Sequence, residues 1–189
     1  MNIIFACDEK YGIGIDNDLP KWNVPDDLKR FRTHTIGNGN NVVIMGKNTY
    51  LSLPNNYLKR RENIVVSNSL YEEYKNTEKD LDGIKFCKKD KTIIINNLDD
   101  AYKYAVMYIT KFTPKGEIWV IGGSQIYEQV IEKNLFIGIY ATYVSSNYEC
   151  DTFLGPKTIE KMKSIKWNDV DTFYSYFDDT YTLYEYKQN

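Results

Sequence analysis

Residues 117–130 read EIWVIGGSQIYEQV. Ile118 to Ile121 run without a polar break, as a strand buried on both faces does. The run stops at Gly122-Gly123, and a helical pattern begins at once in SQIYEQVIEK. A strand that enters a helix through glycines is a joint of the parallel α/β kind. Glycines let a ligand approach the backbone, and the first N–H groups of the helix are open to an anion. A tight turn with no ligand gives the same pattern, so this joint alone does not decide between the two.

The joint occurs a second time. NVVIMGKNTYLSL (41–53) runs from a buried strand through Gly46 into a helix opened by Lys47, Asn48 and Thr49. Lys47 adds a positive charge beside the free N–H groups. Two such joints suit a ligand with phosphates at two places, such as a dinucleotide with a bridging diphosphate and one further phosphate. Neither joint is a Walker loop or the usual GxGxxG fingerprint.

Further strands are expected at 2–7, 63–67 and around 84–87, and helices at 25–35 and 96–109. The tail alternates through 135–144, 171–177 and 181–187, and the last two segments close as a hairpin over Asp178-Asp179-Thr180. Residues 68–95 read as a surface insertion with no chemistry to assign. Alternating strands and helices followed by strands predict an α/β chain, one domain over 1–189. Its sheet is parallel in the middle and antiparallel at the C-terminal edge.

Composition narrows the function. The 189 residues suit one domain with a real core. A net charge of −2 gives no general attraction to nucleic acid or an anionic membrane. Three widely spaced cysteines, Cys7, Cys87 and Cys150, fit a reduced, cytoplasmic setting and no metal site. His34 is the one histidine, which excludes a His-rich zinc site and argues against a Ser-His or Cys-His pair. The apolar start MNIIFAC is too short for a signal peptide or a membrane span.

WNVPDDLKRF (22–31) places two acids after a proline. Pro25 suits the first helical turn, and acids there complement the helix dipole. Helical phase separates Asp26 from Asp27. Val24, Leu28, Phe31 and Thr35 form one apolar stripe; Asp26 is expected opposite it in water, and Asp27 at its edge. A carboxylate beside Leu28 and Phe31 needs a donor or a ligand that supplies one.

With these blocks in order, the chain resembles dihydrofolate reductase. GIGIDNDLPKWNVPDDLKRF, VVIMGKNTYLSLP, LKRRENIVVS, LDDA, WVIGGSQIYE, YATYV and CDTF carry the resemblance over almost the whole length. It implies a mostly parallel, eight-stranded twisted sheet with about four helices. It also implies reduction of dihydrofolate by NADPH, with hydride passing to C6 and a solvent proton to N5. Asp27 would be the carboxylate of the pterin pocket, oriented by Thr142, and Trp22 would stand beside it. Leu28, Phe31, Leu53 and Leu58 would line the pocket, and Ile4 and Ile121 would turn backbone carbonyls to the pterin. Arg61 would pair with the α-carboxylate of the folate glutamate, with Arg60 as its rival.

On the cofactor side, the resemblance places Ala6, Ile13 and Thr49 around the nicotinamide ribose, with Tyr127 approaching the same region. Gly46, Lys47 and Asn48 belong to the joint at 41–53. Gly122, Gly123, Ser124, Gln125 and Ile126 belong to the joint at 117–130, where the Gly-Gly bond of the family is typically cis. Val66, Ser67 and Asn68 end the strand beside the adenosine. Antifolates such as methotrexate are expected to bind, and a monomer is expected.

Two departures stand out. Lys21 is an extra residue between Pro20 and Trp22, inside the 13–24 segment expected to close over the nicotinamide. Where the family often places an arginine near the adenosine 2′-phosphate, this chain has Asn68, Asn96 and Gln125. Lys47, the hydroxyls of Ser67 and Ser69, and Lys88 or Lys89 are the remaining candidates, so the preference for NADPH over NADH is expected to be weaker than usual. Two rivals remain: a riboflavin-pathway reductase of the same fold, and a protein of this fold kept as a structural or binding subunit.

Overall fold

The computed structural model describes residues 1–22, 24–174 and 180–188. Along the chain lie β1 (Asn2–Cys7), β2 (Gly12–Gly14), α1 (Pro25–Ile36), β3 (Val42–Gly46), α2 (Lys47–Ser52), β4 (Glu62–Val66), α3 (Asn68–Glu73), β5 (Lys79–Leu81) and β6 (Ile84–Lys89). They are followed by β7 (Thr92–Ile95), α4 (Leu98–Phe112), β8 (Ile118–Val120), α5 (Ser124–Glu132), β9 (Gly138–Val144), β10 (Thr152–Phe153), α6 (Pro156–Ser164), β11 (Asn168–Tyr174) and β12 (Thr180–Lys187). Two compact units form, residues 34–126 and residues 1–33 with 127–189.

In the 34–126 unit the strand order is β8-β3-β4-β7-β6-β5. The first four strands are parallel, and β6 and β5 add an antiparallel edge. Val42 to Met45, Ile64, Val65 and Ile93 to Ile95 are buried, which is why these strands read as unbroken apolar runs. Helix α4 starts where Asn97 accepts from the Asp100 N–H at 2.9 Å, with Asp99 and Asp100 in its first turn.

In the other unit the order is β11-β12-β9-β1. β1 and β9 are parallel; β9, β12 and β11 pair antiparallel, giving the expected C-terminal edge. The turn expected at Asp178-Asp179 lies outside the described residues. A separate two-stranded ribbon joins β2 to β10.

The α/β class holds, but there are more elements than the eight strands and four helices that the resemblance implies. The segment 68–95 is not wholly a surface insertion. Ser67 caps α3 by accepting from the Leu70 N–H at 3.2 Å, and α3 buries Leu70 and Tyr71. β7 is buried throughout and pairs with β4. Its four residues, TIII, are too few to show a period, and the surrounding lysines and acids masked them. Helix α6 is held by Glu128, which accepts from the Thr158 N–H at 2.7 Å and from its hydroxyl at 2.9 Å.

Candidate active site

The carboxylate of the first set sits in the 1–33/127–189 unit. Helix α1 begins at Pro25, and Asp27, in its first turn, is half-buried. Its Oδ1 accepts from Thr142 Oγ1 of β9 at 2.5 Å. Burial pushes the Asp27 carboxyl above the usual aspartate range, while the Thr142 hydrogen bond and the nearby Arg30 charge pull it down. Beside Thr142 in register lies Ala6 of β1. Tyr127, on α5, donates from its hydroxyl to the Ile4 carbonyl at 2.9 Å, and its ring packs on Phe5. Burial, then the nearby Asp27 carboxylate, push that hydroxyl up and keep it protonated. Trp22 packs on the buried cluster of Val24, Val144, Tyr181 and Leu183, and meets Tyr148 edge-on at 5.6 Å. Ile13 is half-buried at the centre of β2.

The second set sits in the 34–126 unit, where the two glycine joints come together. Gly46 donates its N–H to the Gly122 carbonyl at 2.7 Å, and Gly122-Gly123 is cis. A Cβ on Gly46 would lie 3.2 Å from Ile126 Cγ1, and one on Gly123 3.4 Å from Thr49 Oγ1. No side chain caps α2, and neither α2 nor α5 has an acid in its first turn, unlike α1 and α4. Backbone donors, small residues and Lys47 together suit an anionic ligand. Lys47 Nζ donates to Ser69 Oγ at 3.1 Å, and Ser69 and Ser67 hydroxyls lie 3.2 Å apart. Asn48 and Asn68 are exposed in the first turns of α2 and α3, while Ser124 and Gln125 open α5. Val66 ends β4 beside Ile95.

Arg61 and Arg60 separate clearly. Arg61 Nη1 donates to the Thr35 hydroxyl at 2.7 Å and its Nε to the Lys59 carbonyl at 3.1 Å. Arg60 has a left-handed backbone, φ +63°, and its exposed side chain lies by Gly39. Both belong to a groove of about 360 Å³ lined also by Tyr57, Leu58, Lys59 and Lys91. Leu53 and Leu58 are half-buried, and Ile121 is buried with its N–H on the Ile44 carbonyl.

The dihydrofolate reductase family profile matches residues 1–186. The chain belongs to the dihydrofolate reductase family. It is therefore an oxidoreductase of the class whose reaction is reduction of dihydrofolate to tetrahydrofolate. It is 32% identical over 169 residues to the dihydrofolate reductase of Sus scrofa, covering 86% of this chain and 83% of that one. It is 33% identical over 159 residues to that of Drosophila melanogaster, covering 80% and 77%. Against that of Schistosoma mansoni it is 29% identical over 182 residues, covering 92% and 88%.

Within this member of the dihydrofolate reductase family, two expectations about α1 need correction. Asp26 does not point freely into water: its Oδ2 accepts from the Tyr181 hydroxyl at 2.7 Å. Leu28 is 60% exposed, whereas Arg30 is buried. Asp26 and Arg30, one turn apart, both face protein, because a tyrosine hydroxyl and strand carbonyls meet these polar groups. Arg30 donates to the Tyr184 carbonyl at 2.9 Å and the Ala141 carbonyl at 3.3 Å, and lies 3.6 Å from Glu185. Lys89 is turned to the Tyr74 ring at 4.8 Å.

Sequence reading also missed Asn63. Its side-chain N–H groups donate to the Leu58 and Arg61 carbonyls at 2.9 and 2.8 Å, and its oxygen accepts from the Leu58 N–H at 2.8 Å. This one buried amide sets the loop that presents Arg61. A polar residue opening an otherwise apolar strand is the only signal that could have found it.

Proposed function

We propose that the chain reduces dihydrofolate to tetrahydrofolate with NADPH, in support of one-carbon metabolism and thymidylate synthesis, as a cytoplasmic monomer built from one domain over residues 1–189. The observation that carries the reading is Asp27, half-buried on α1 with its carboxylate held by Thr142. A carboxylate in that setting seeks further donors, and the ring N–H and exocyclic amine of a pterin supply two. Bound there, Asp27 orients the ring and raises the basicity of N5, which then takes its proton from solvent. The Ile4 and Ile121 carbonyls take the pterin edge, Tyr127 fixing the first of them. Leu28, Phe31, Leu53 and Leu58 cover the rings. The exposure of Leu28 suits a side chain that packs on a ligand.

Arg61 pairs with the substrate α-carboxylate, pre-set by Thr35 and by Asn63. The nicotinamide cofactor, when bound, supplies the hydride. Gly46, Asn48, Thr49, Gly122, Gly123, Ser124, Gln125 and Ile126 hold its diphosphate and ribose, and Ala6 and Ile13 border the nicotinamide. Lys47 with Ser67 and Ser69, next to Val66 and Asn68, takes the 2′-phosphate in place of an arginine. Trp22 anchors the end of the 13–24 segment that closes over the site.

The test is oxidation of NADPH by purified protein, followed by loss of its near-ultraviolet absorbance, with and without dihydrofolate. Oxidation that requires dihydrofolate and is blocked by methotrexate supports the reading. Methotrexate binding with no oxidation would indicate a folate-binding protein instead, and neither would return the weight to another reductase.

A further inference from the structure

Asp8 is fully buried, yet the chemistry above gives it no role. Its Oδ1 accepts from the Lys10 N–H at 2.9 Å and the Gly12 N–H at 2.7 Å. Its Oδ2 accepts from the Tyr148 N–H at 3.2 Å and faces the Cys150 thiol, Sγ at 3.6 Å. One oxygen closes the tight turn that leads into β2; the other reaches a segment more than a hundred residues away in sequence. We propose that Asp8 is a positioning residue for the reductase reaction, locking the 8–14 turn to the 146–152 segment so that Ile13 and Trp22 are held in place.

Several contacts support the lock. Asp8 N–H donates to the Gly12 carbonyl, and Tyr11 N–H to the Asp8 carbonyl, both at 3.0 Å. Glu9 N–H reaches the Ser146 carbonyl at 3.3 Å. A Cβ on Gly12 would fall 2.5 Å from Cys150 Cβ and Sγ and 3.0 Å from Asp8 Oδ1, so the two segments are pressed together at this point. Ile13 follows Gly12 directly. Tyr148, whose N–H is bound to Asp8, presents its ring to Trp22. The Cys150 thiol is pushed up to about 11 by burial, then by Asp8, so it remains a protonated donor at neutral pH.

The proposal rests on the reading that the 13–24 segment borders the nicotinamide. The chemistry of the carboxylate makes it separable. Asp8→Asn has the same shape but sets an amide N–H against an N–H donor on one side or the other. Cys150→Ala removes one donor, and Cys150→Ser restores it.

The experiment compares wild type, D8N, C150A and C150S. It measures turnover with dihydrofolate and either NADPH or NADPH deuterated at the transferred position, and amide exchange of residues 12–22. For D8N and C150A we expect kcat to fall about tenfold with KM for dihydrofolate nearly unchanged. The isotope effect on kcat should rise, since a misplaced loop slows hydride transfer relative to product release, and exchange across 12–22 should quicken. C150S should match wild type. Wild-type isotope effects and exchange in D8N and C150A would overturn the proposal, as would equal losses in C150S and C150A. If D8N does not fold, the two Cys150 variants decide. If wild type reduces no dihydrofolate, the reaction assignment fails, and the exchange pattern alone still tests the lock.

Discussion

Asp8 and Asp27 are both carboxylates in the 1–33/127–189 unit, nineteen residues apart in sequence, and the structure treats them oppositely. Asp8 is fully buried and receives three backbone N–H groups and a thiol. Asp27 is half-buried, and its one side-chain donor among the described residues is Thr142. A carboxylate saturated by its own fold has no capacity left for a ligand and acts as a fastener. A carboxylate that burial pushes toward neutrality, with a single protein donor, has been left incomplete by folding. Incomplete solvation of this kind is characteristic of sites that bind something.

The largest effect that could break this contrast is on turnover. Asp27→Asn should lose about a hundredfold or more in kcat/KM at neutral pH while cofactor binding persists. Activity within a few-fold of wild type would remove Asp27 from its role.

The same substitution should stabilise the fold, whereas emptying the Asp8 position should weaken it. Because the Asp27 carboxyl is raised in the folded state, folding favours its protonated form. The stability it contributes is full below the ordinary aspartate range and is lost as pH rises through the folded value. Asp27→Asn should therefore raise Tm at neutral pH, and the gain should vanish in acid. Asp8→Ala leaves its donors unmatched and should cost about 3 kcal/mol in urea titrations. A neutral Asp8→Ala, or a Tm that falls in Asp27→Asn, would reverse the assignments.

Smaller effects sharpen the picture. Thr142→Val removes a contact that pulls the Asp27 carboxyl down, so the acid limb of the kcat/KM profile should move to higher pH, with activity down about tenfold. Lys47→Gln should raise KM for NADPH about tenfold and leave KM for NADH nearly unchanged, if Lys47 and Ser69 hold the 2′-phosphate. Asp26→Asn should change turnover little and cost about 1 kcal/mol or less, since Tyr181 can still donate to the remaining oxygen.

The two glycine joints were legible because each is a continuous local pattern: an apolar run, a glycine and a helical period. Their meeting, Gly46 N–H on the Gly122 carbonyl, was not, since nothing local couples residues that far apart. The suspicion of Asp27 came from helical phase, and that method misjudged Asp26 and Leu28. Phase ranks side chains by hydrophobicity and cannot see that a distant Tyr181 will offer a hydroxyl, or that strand carbonyls will accept a buried Arg30. β7 was hidden because four residues hold no period, and Asn63 because a single amide at the start of an apolar run does not reveal its partners.

By itself, then, the sequence determined the alternation of strands and helices and the two strand–glycine–helix joints. These depend on residues within one helical turn or one strand. The tertiary structure alone decided which carboxylate is saturated and which is left short of donors. That depends on partners brought from opposite ends of the chain: Tyr148 and Cys150 to Asp8, Thr142 to Asp27. The difference between the two carboxylates lies in the number of donors that folding delivers.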